Sequence, residues 1–371
     1  MPSPKPHTGS AKKMTISPAT YEQRRENVRK RLKDRGLPPL LVNFAANRYY
    51  LSGFELHDPQ CNETAGWLII CPDGRDFLLT DPRYLDAARR VWNEEDIFIY
   101  SGRKYDLFRD FFKLNSISEL SYDPKSISLF EHEKLKELCN LKAVSGLIED
   151  LRLIKDETEI RLMEESCALN HKVYELLQPK LVEGRTEAEI SWDVEQLFRN
   201  NGATELSFPT IVGIGPNAAL PHAIPGNDKL KDGDLVLIDM GGRMGDYCSD
   251  QTRTFWVGDK PSDRFLKVKE QVQEAQMEAI KILRPGLPIQ HAYHTARNVF
   301  EKYGVEKHFT HSLGHGIGLE THEQPSVSPV ASGQLKPGMI ITVEPGLYYS
   351  DWGGIRWEYM VLITEDGHKI L

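Results

Sequence analysis

Four short stretches in the second half of the chain carry residues able to act together on a substrate. The first is Leu235-Val-Leu-Ile-Asp239-Met-Gly-Gly, followed by a glycine-rich turn at Gly241 to Gly245 and then Tyr247-Cys-Ser-Asp250-Gln-Thr-Arg-Thr. Two apolar runs around such a turn predict a β-hairpin. Asp239 and Asp250 are equidistant from the centre of the turn, between Met244 and Gly245. A regular ladder would set them opposite each other on one face. Carboxylates so placed repel unless a positive charge lies between them, and a divalent cation supplies one. The alternative is two surface aspartates at strand ends.

The second stretch, His311-Ser-Leu-Gly-His315-Gly-Ile-Gly-Leu-Glu-Thr-His322-Glu, holds three histidines among glycines. A glycine-rich loop lets backbone approach a ligand closely, and histidine is both a common metal ligand and a common proton shuttle. In the third, Thr342-Val-Glu344-Pro-Gly, the carboxylate follows an apolar run and is expected at the buried end of a strand. In the fourth, Gly354-Ile-Arg356-Trp-Glu358-Tyr-Met-Val, Arg356 and Glu358 occupy alternate strand positions and so face one side. A simple ion pair between those two is the competing reading, because buried carboxylates need partners.

Together Asp239, Asp250, His315, Glu344 and Glu358 make four carboxylates and one imidazole. Oxygen-rich ligation with one nitrogen suits manganese, cobalt, iron or zinc. Four ionised carboxylates balance two divalent ions, and two ions about 3.5–4 Å apart can hold a hydroxide that is nucleophilic near neutral pH. Spacing alone does not establish that the five residues converge.

The elements that must position these residues are legible in outline. Tyr21 to Arg35 is charged and helical in character, with Val28 and Leu32 on one face. Strand-like runs follow at Leu40 to Val42, Trp67 to Ile70, Phe77 to Leu79 and Ile97 to Tyr100, with a helix expected over Tyr84 to Trp92. That mixture predicts a compact α/β domain over residues 16–145. From Asp156 the pattern turns to long helices. One has an apolar stripe at Ile160, Met163, Cys167, Val173 and Leu177. Thr186 with Glu189 makes a capping box, and Ser262 caps a helix carrying Phe265, Val268, Val272 and Ala275. Strand-like runs at Asp234 to Met240, Thr252 to Val257, Met339 to Val343 and Met360 to Ile363 complete an α+β domain over residues 149–371.

The chain's 371 residues are enough for two domains, each with its own core. A net charge of -8 gives no support to a nucleic-acid or acidic-membrane partner. No run of about 18 apolar residues exists to span a membrane. Cys61, Cys71, Cys139, Cys167 and Cys248 form no paired motif, and read as reduced thiols of a cytoplasmic protein. Cys248 as a nucleophile competes with Cys248 as a small buried hydrophobe. Residues 1–15, rich in Pro, Ser and Lys, are expected to be a disordered leader, with Met14 an alternative start.

The motifs resemble those of the pita-bread metallopeptidases, in particular the Xaa-Pro aminopeptidases and prolidases. The resemblance runs from about Ile16 to the end of the chain. It rests on Ile-Asp239-Met-Gly, Ser-Asp250-Gln-Thr-Arg-Thr, Gly-His315-Gly-Ile-Gly, Glu344-Pro-Gly and Arg-Trp-Glu358. Gly215-Pro-Asn-Ala-Ala-Leu-Pro-His222, Thr-His322-Glu, Arg356 and Asn47-Arg-Tyr-Tyr-Leu-Ser-Gly-Phe54 add to it, as does the join at Leu151-Arg-Leu-Ile-Lys-Asp-Glu-Thr-Glu-Ile160.

It implies a pita-bread catalytic domain preceded by a smaller creatinase-type domain. It also implies two divalent ions, manganese before cobalt, zinc or iron, with Asp250 and Glu358 bridging. Asp239 would chelate one ion, while His315 and Glu344 would complete the other. The implied reaction is hydrolysis of the peptide bond preceding proline. Glu344 would act as proton acceptor and donor, His222 and His322 would contact the substrate, and Arg356 would lie beside it. A homodimer is implied as well. Two positions depart from the family pattern: Trp357 stands where an aliphatic residue is usual, and Tyr359 where an acidic one is. Other reactions on this fold compete with the peptidase reading, among them a methionine aminopeptidase, a creatinase-like enzyme and a metal-dependent hydrolase or lyase of a small metabolite. So does a non-catalytic binding protein.

Overall fold

The computed structural model describes residues 16–60 and 63–371. The expected leader and Cys61 lie outside the described residues. The chain divides into two compact units, Ile16–Arg152 and Leu153–Leu371.

The first unit is built on a six-stranded mixed sheet. Its spatial order is Ile97–Ile99, Phe77–Thr80, Gly66–Ile70, Leu40–Val42, Glu119–Tyr122 and Asn140–Ala143. Gly66–Ile70 pairs antiparallel with both of its neighbours, and the other three pairs are parallel. Gly66–Ile70 is buried along its whole length, which accounts for a continuous apolar run rather than an alternating one. The helix Lys104–Leu114 sets Phe108, Phe111 and Phe112 against Trp67, Ile69 and Phe77; three to four residues of spacing put those rings on one face. The helix Pro18–Asp34 starts at a Ser17 cap with proline in the first turn, and buries Val28 and Leu32 as expected.

The helix expected over Tyr84 to Trp92 is cut to one turn, Leu85–Ala88, behind a 3-10 turn at Pro82–Tyr84. Ala88 is the one residue of that turn that is buried. Only Ala88 of this segment is fully buried, so little packing repays the cost of extending so short a helix.

In the second unit, the capping boxes at Asp156 with Glu159 and at Thr186 with Glu189 open the helices Glu157–Leu177 and Glu187–Asn200. Ser262 caps Asp263–Lys281, and Ile289–Lys302 follows. An antiparallel sheet orders Ile211–Ile214, Leu235–Met240 and Gln251–Trp256. A second sheet orders Glu323–Val327, Gly314–Gly316, Ile340–Val343, Tyr359–Ile363 and His368–Ile370. Gly346–Tyr349 pairs with Gly353–Arg356 as a separate ribbon.

The strand Leu235–Met240 is buried on both faces. Leu235 and Leu237 join one core cluster, with Val268, Val272, Ile341 and Val343. Val236, Ile238 and Met240 join another, with Val173, Val194 and Phe198. Asp239 therefore shares the face of Leu237 and points into the first of these layers.

Candidate metal centre

Asp239 and Asp250 flank a hairpin, but its register differs from the symmetric one. Asp239 pairs with Thr252, and Met240 with Gln251. Beyond them Met244 pairs with Tyr247 across a two-residue turn, with Gly245 at φ 53° and Asp246 at φ 73°. Positive φ at both central residues is the primed turn that matches strand twist, so the loop closes one residue later than the glycine run suggests. A shift of two across the ladder preserves the side-chain alternation. Asp239 and Asp250 remain on one face, diagonal rather than directly opposed.

His315 sits not in a loop but in the short strand Gly314–Gly316. A Cβ at Gly316 would lie 2.0 Å from the Gln324 carbonyl oxygen, so the neighbouring strand approaches too closely for any side chain there. The His315 Nδ1 lies 3.0 Å from the Gly316 carbonyl and donates to it. Nε2 is left as an acceptor, 3.4 Å from Glu344 Oε1 and 3.6 Å from Asp250 Oδ2. Burial, aided by His322, lowers the His315 pKa to about 4, so the ring is neutral at pH 7. A neutral nitrogen lone pair facing two carboxylate oxygens is repulsive unless a cation lies between them.

Glu344 follows the strand Ile340–Val343, and its Oε1 accepts from Thr342 Oγ1 at 3.2 Å. Glu358 does not continue the strand of Arg356. The ladder ending at Arg356 pairs with Gly346, and a new one begins at Tyr359 opposite Val343. Residues 357 and 358 lie in neither. Nor do Arg356 and Glu358 form the simple pair that their spacing allowed. Glu358 Oε2 accepts from Thr252 Oγ1 at 2.7 Å, whereas Arg356 Nη2 donates to Asp239 Oδ2 at 2.7 Å.

One ligand atom each from Asp250, His315 and Glu358 lie within 4.8 Å of one another. Asp239, Asp250 and Glu358 are 8%, 4% and 1% exposed. Each has a buried oxygen with no hydrogen-bond partner among the described residues: Oδ1, Oδ1 and Oε1 respectively. Burial first, then Glu358, Asp239 and Glu344, push the Asp250 carboxyl well above its ordinary range. Burial, Glu344 and Asp239 do the same to Glu358. Burial pushes Glu344 up to about 8, with Arg356 opposing. Burial alone would lower the Arg356 pKa, but Tyr348, Asp239 and Glu344 hold it charged. One guanidinium among four carboxylates leaves an excess of negative charge, and three orphaned oxygens among hard donors fit divalent cations.

Protons compete with such a cation, and the sign of the effect follows. The Glu344 pKa in the folded chain, about 8, lies above its ordinary 4.5. In chelated protein it therefore contributes stability that is present below about 4.5 and lost as pH rises through about 8. A bound cation reverses this by stabilising the ionised form. The rise in melting temperature on adding Mn2+ is expected to be large at roughly pH 8–9 and to shrink toward pH 5. Scanning calorimetry across that range checks it, and a rise independent of pH would contradict it.

The other residues singled out in the sequence are placed as follows. His322, exposed at its outer edge, has its ring centre 4.2 Å from that of His315. Partial desolvation and the nearby His222 lower its pKa, against Asp239. His222 is exposed, and its neighbour Pro221 accepts from Arg356 Nη1 at 3.2 Å. His311 does not join the carboxylate cluster: its Nε2 lies 2.9 Å from the Tyr348 hydroxyl. Burial raises the Cys248 thiol to about 11, which removes it as a nucleophile. Trp357 and Tyr359 turn their rings to Arg253.

Thr252, Thr342 and Tyr348 are polar parts of the centre that the motifs did not disclose. Both threonines stand two residues from a carboxylate of the cluster, and period-two alternation is the signal that would have found them. Tyr348 reaches Arg356 through its side chain at 3.0 Å, and no spacing rule announces it.

Residues 161–365 match the model of metallopeptidase family M24, and residues 24–154 that of the creatinase/prolidase N-terminal domain. The chain is 35% identical to an Xaa-Pro dipeptidase of Pyrococcus horikoshii over 336 residues, 90% of this chain and 92% of that one. It is 33% identical to an Xaa-Pro dipeptidase of Pyrococcus furiosus over 353 residues, 94% and 97% of the two chains. A solved Xaa-Pro dipeptidase from Bacillus anthracis superposes with a TM-score of 0.87 at 31% identity, covering 94% of this chain and 97% of its own.

Proposed function

The chain belongs to metallopeptidase family M24, and from that premise we propose that it is an Xaa-Pro dipeptidase holding two divalent ions on Asp239, Asp250, His315, Glu344 and Glu358. The family is one of metal-dependent hydrolases, and the chain is an enzyme of that kind. The observation that carries the metal assignment is the trio of buried, unpartnered oxygens on Asp239, Asp250 and Glu358. The substrate assignment is supported by two relatives named as Xaa-Pro dipeptidases over at least 90% of this chain. Manganese is the proposed ion, because the donor set is mostly hard carboxylate oxygen.

When bound, such ions supply a Lewis acid and lower the pKa of a water. The chain's own residues do the rest. Glu344, beside His315 and hydrogen-bonded through Thr342, accepts a proton from the attacking water and passes it to the leaving prolyl nitrogen. His322 steadies the scissile carbonyl oxygen as charge develops there, with His222 contacting the substrate beside it. Arg356 keeps Asp239 oriented through their 2.7 Å pair and presents its charge beside the substrate. The nitrogen of an Xaa-Pro bond bears no hydrogen, so selection falls to the shape of the ring and its apolar packing.

Kinetics on Xaa-Pro and Xaa-Pro-Xaa peptides of the same first residue test the dipeptidase assignment. Preference for the dipeptide is expected, and cleavage of the tripeptide at equal or greater kcat/KM would reassign the chain as an Xaa-Pro aminopeptidase. No helix among the described residues is long and apolar enough to cross a membrane. We propose a cytoplasmic homodimer without nucleic-acid or membrane partners, and light scattering on the purified protein tests the dimer.

A further inference from the structure

We propose that Arg253, enclosed by Trp357 and Tyr359, is the positioning residue that holds the metal-binding carboxylate Glu358 in place; this rests on the reading of Glu358 as a ligand. Residues 357 and 358 fall between two ladders, so sheet hydrogen bonds do not fix them. Other contacts do, among them a bond from the Trp357 N–H to the Pro345 carbonyl at 3.4 Å. Gln276 Nε2 donates to the Trp357 carbonyl, and also to that of Val343, at 2.8 Å each. The Glu358 N–H donates to the Thr252 carbonyl at 3.2 Å. Arg253 Nη1 donates to the carbonyl oxygens of both Glu358 and Thr252, the latter at 2.8 Å.

Arg253 thus ties together the backbone of Glu358 and that of Thr252, whose hydroxyl donates to the Glu358 carboxylate. Among the described residues it is the one side chain that grips the carbonyl of Glu358 itself. Arg253 alternates with Thr252 along its strand and points away from the carboxylate cluster. Its guanidinium carbon lies 4.4 Å from the Tyr359 ring centre, 4.9 Å from that of Trp357 and 5.7 Å from that of Tyr174. It is 8% exposed. Aromatic faces attract a desolvated cation and leave its N–H groups free to bond carbonyls. A planar fork is what this geometry needs, and a lysine ammonium does not reproduce it. The aromatic residues flanking Glu358 therefore serve the ligand from behind.

The test is calorimetric titration of Mn2+ into full-length, chelator-stripped protein, with melting of the metal-free form measured alongside. Wild type is compared with Arg253→Met, Arg253→Lys, Tyr359→Leu and Glu358→Gln. Arg253→Met is expected to weaken Mn2+ binding about 10–100-fold, and Arg253→Lys to weaken it less. Tyr359→Leu is expected to weaken it by up to about tenfold, with its metal-free melting temperature near wild type. The visible spectrum of the cobalt-loaded Tyr359→Leu protein, sensitive to ligand geometry, should shift.

If Arg253→Met folds poorly, Tyr359→Leu and Arg253→Lys carry the decision. Wild-type affinity and an unshifted cobalt spectrum in these variants, while Glu358→Gln loses binding, would overturn the positioning role and leave the metal centre standing. Wild-type affinity in Glu358→Gln would overturn both.

Discussion

Asp250→Asn protein is expected to lose tight binding of divalent metal and about 10³-fold or more in turnover, because cation stabilisation of the reaction is worth several kcal/mol. Its metal-free form is expected to melt at or above the wild-type metal-free form. The reason is electrostatic. Asp250 is buried, and Glu358, Asp239 and Glu344 act on it with like charge. Replacing its carboxylate by an amide of the same shape relieves about 1–3 kcal/mol of desolvation and repulsion when no cation is present. Wild type, by contrast, gains about 2.7 kcal/mol from a metal held at 100 times its Kd. Loss of metal binding together with a higher metal-free melting temperature is a pair of results that a merely misfolded variant does not produce. Full turnover by metal-loaded Asp250→Asn protein would sink the assignment of this cluster.

The second large effect concerns Glu344. Glu344→Gln keeps the side-chain volume and removes the proposed proton acceptor. At saturating metal, kcat is expected to fall about 10²–10⁴-fold, with KM for an Xaa-Pro dipeptide changing far less. Because Glu344 is also a proposed ligand, metal affinity should weaken about 10–100-fold, so the comparison is made only after the metal titration is complete. Recovery of wild-type kcat on adding metal would reduce Glu344 to a ligand and remove it from proton transfer.

The parts of this molecule that were legible beforehand are those in which one local rule dominates. The capping box at Thr186 fixes a helix start because side chain and backbone satisfy each other within four residues. The strand Leu235–Met240 reads as an apolar run because both of its faces are covered. The site residues were named through clustered histidines, short glycine-flanked carboxylates and a family resemblance. Their approach across 119 residues, from Asp239 to Glu358, is a tertiary fact that spacing does not contain.

Three features were misplaced for identifiable reasons. The hairpin centre was drawn through the glycine run, whereas the turn uses Asp246 as its second positive-φ residue. Arg356 and Glu358 were assigned to one strand, whereas the chain leaves one ladder and joins another between them. The helix expected from Tyr84 to Trp92 runs past its one fully buried residue, Ala88, and the regular helix stops there. Arg253 lies within the Ser-Asp250-Gln-Thr-Arg-Thr motif, where no spacing rule marks it out. Its importance shows once two aromatic rings and two carbonyl oxygens are seen around it.

The most direct test of the central claim is hydrolysis of matched Xaa-Pro and Xaa-Ala dipeptides by Mn2+-loaded protein, with a chelated control. Cleavage of the proline peptide alone, abolished by the chelator and restored by Mn2+, is the expected result. Equal cleavage of the alanine peptide, or no cleavage of either by protein shown to hold its metal, would contradict it.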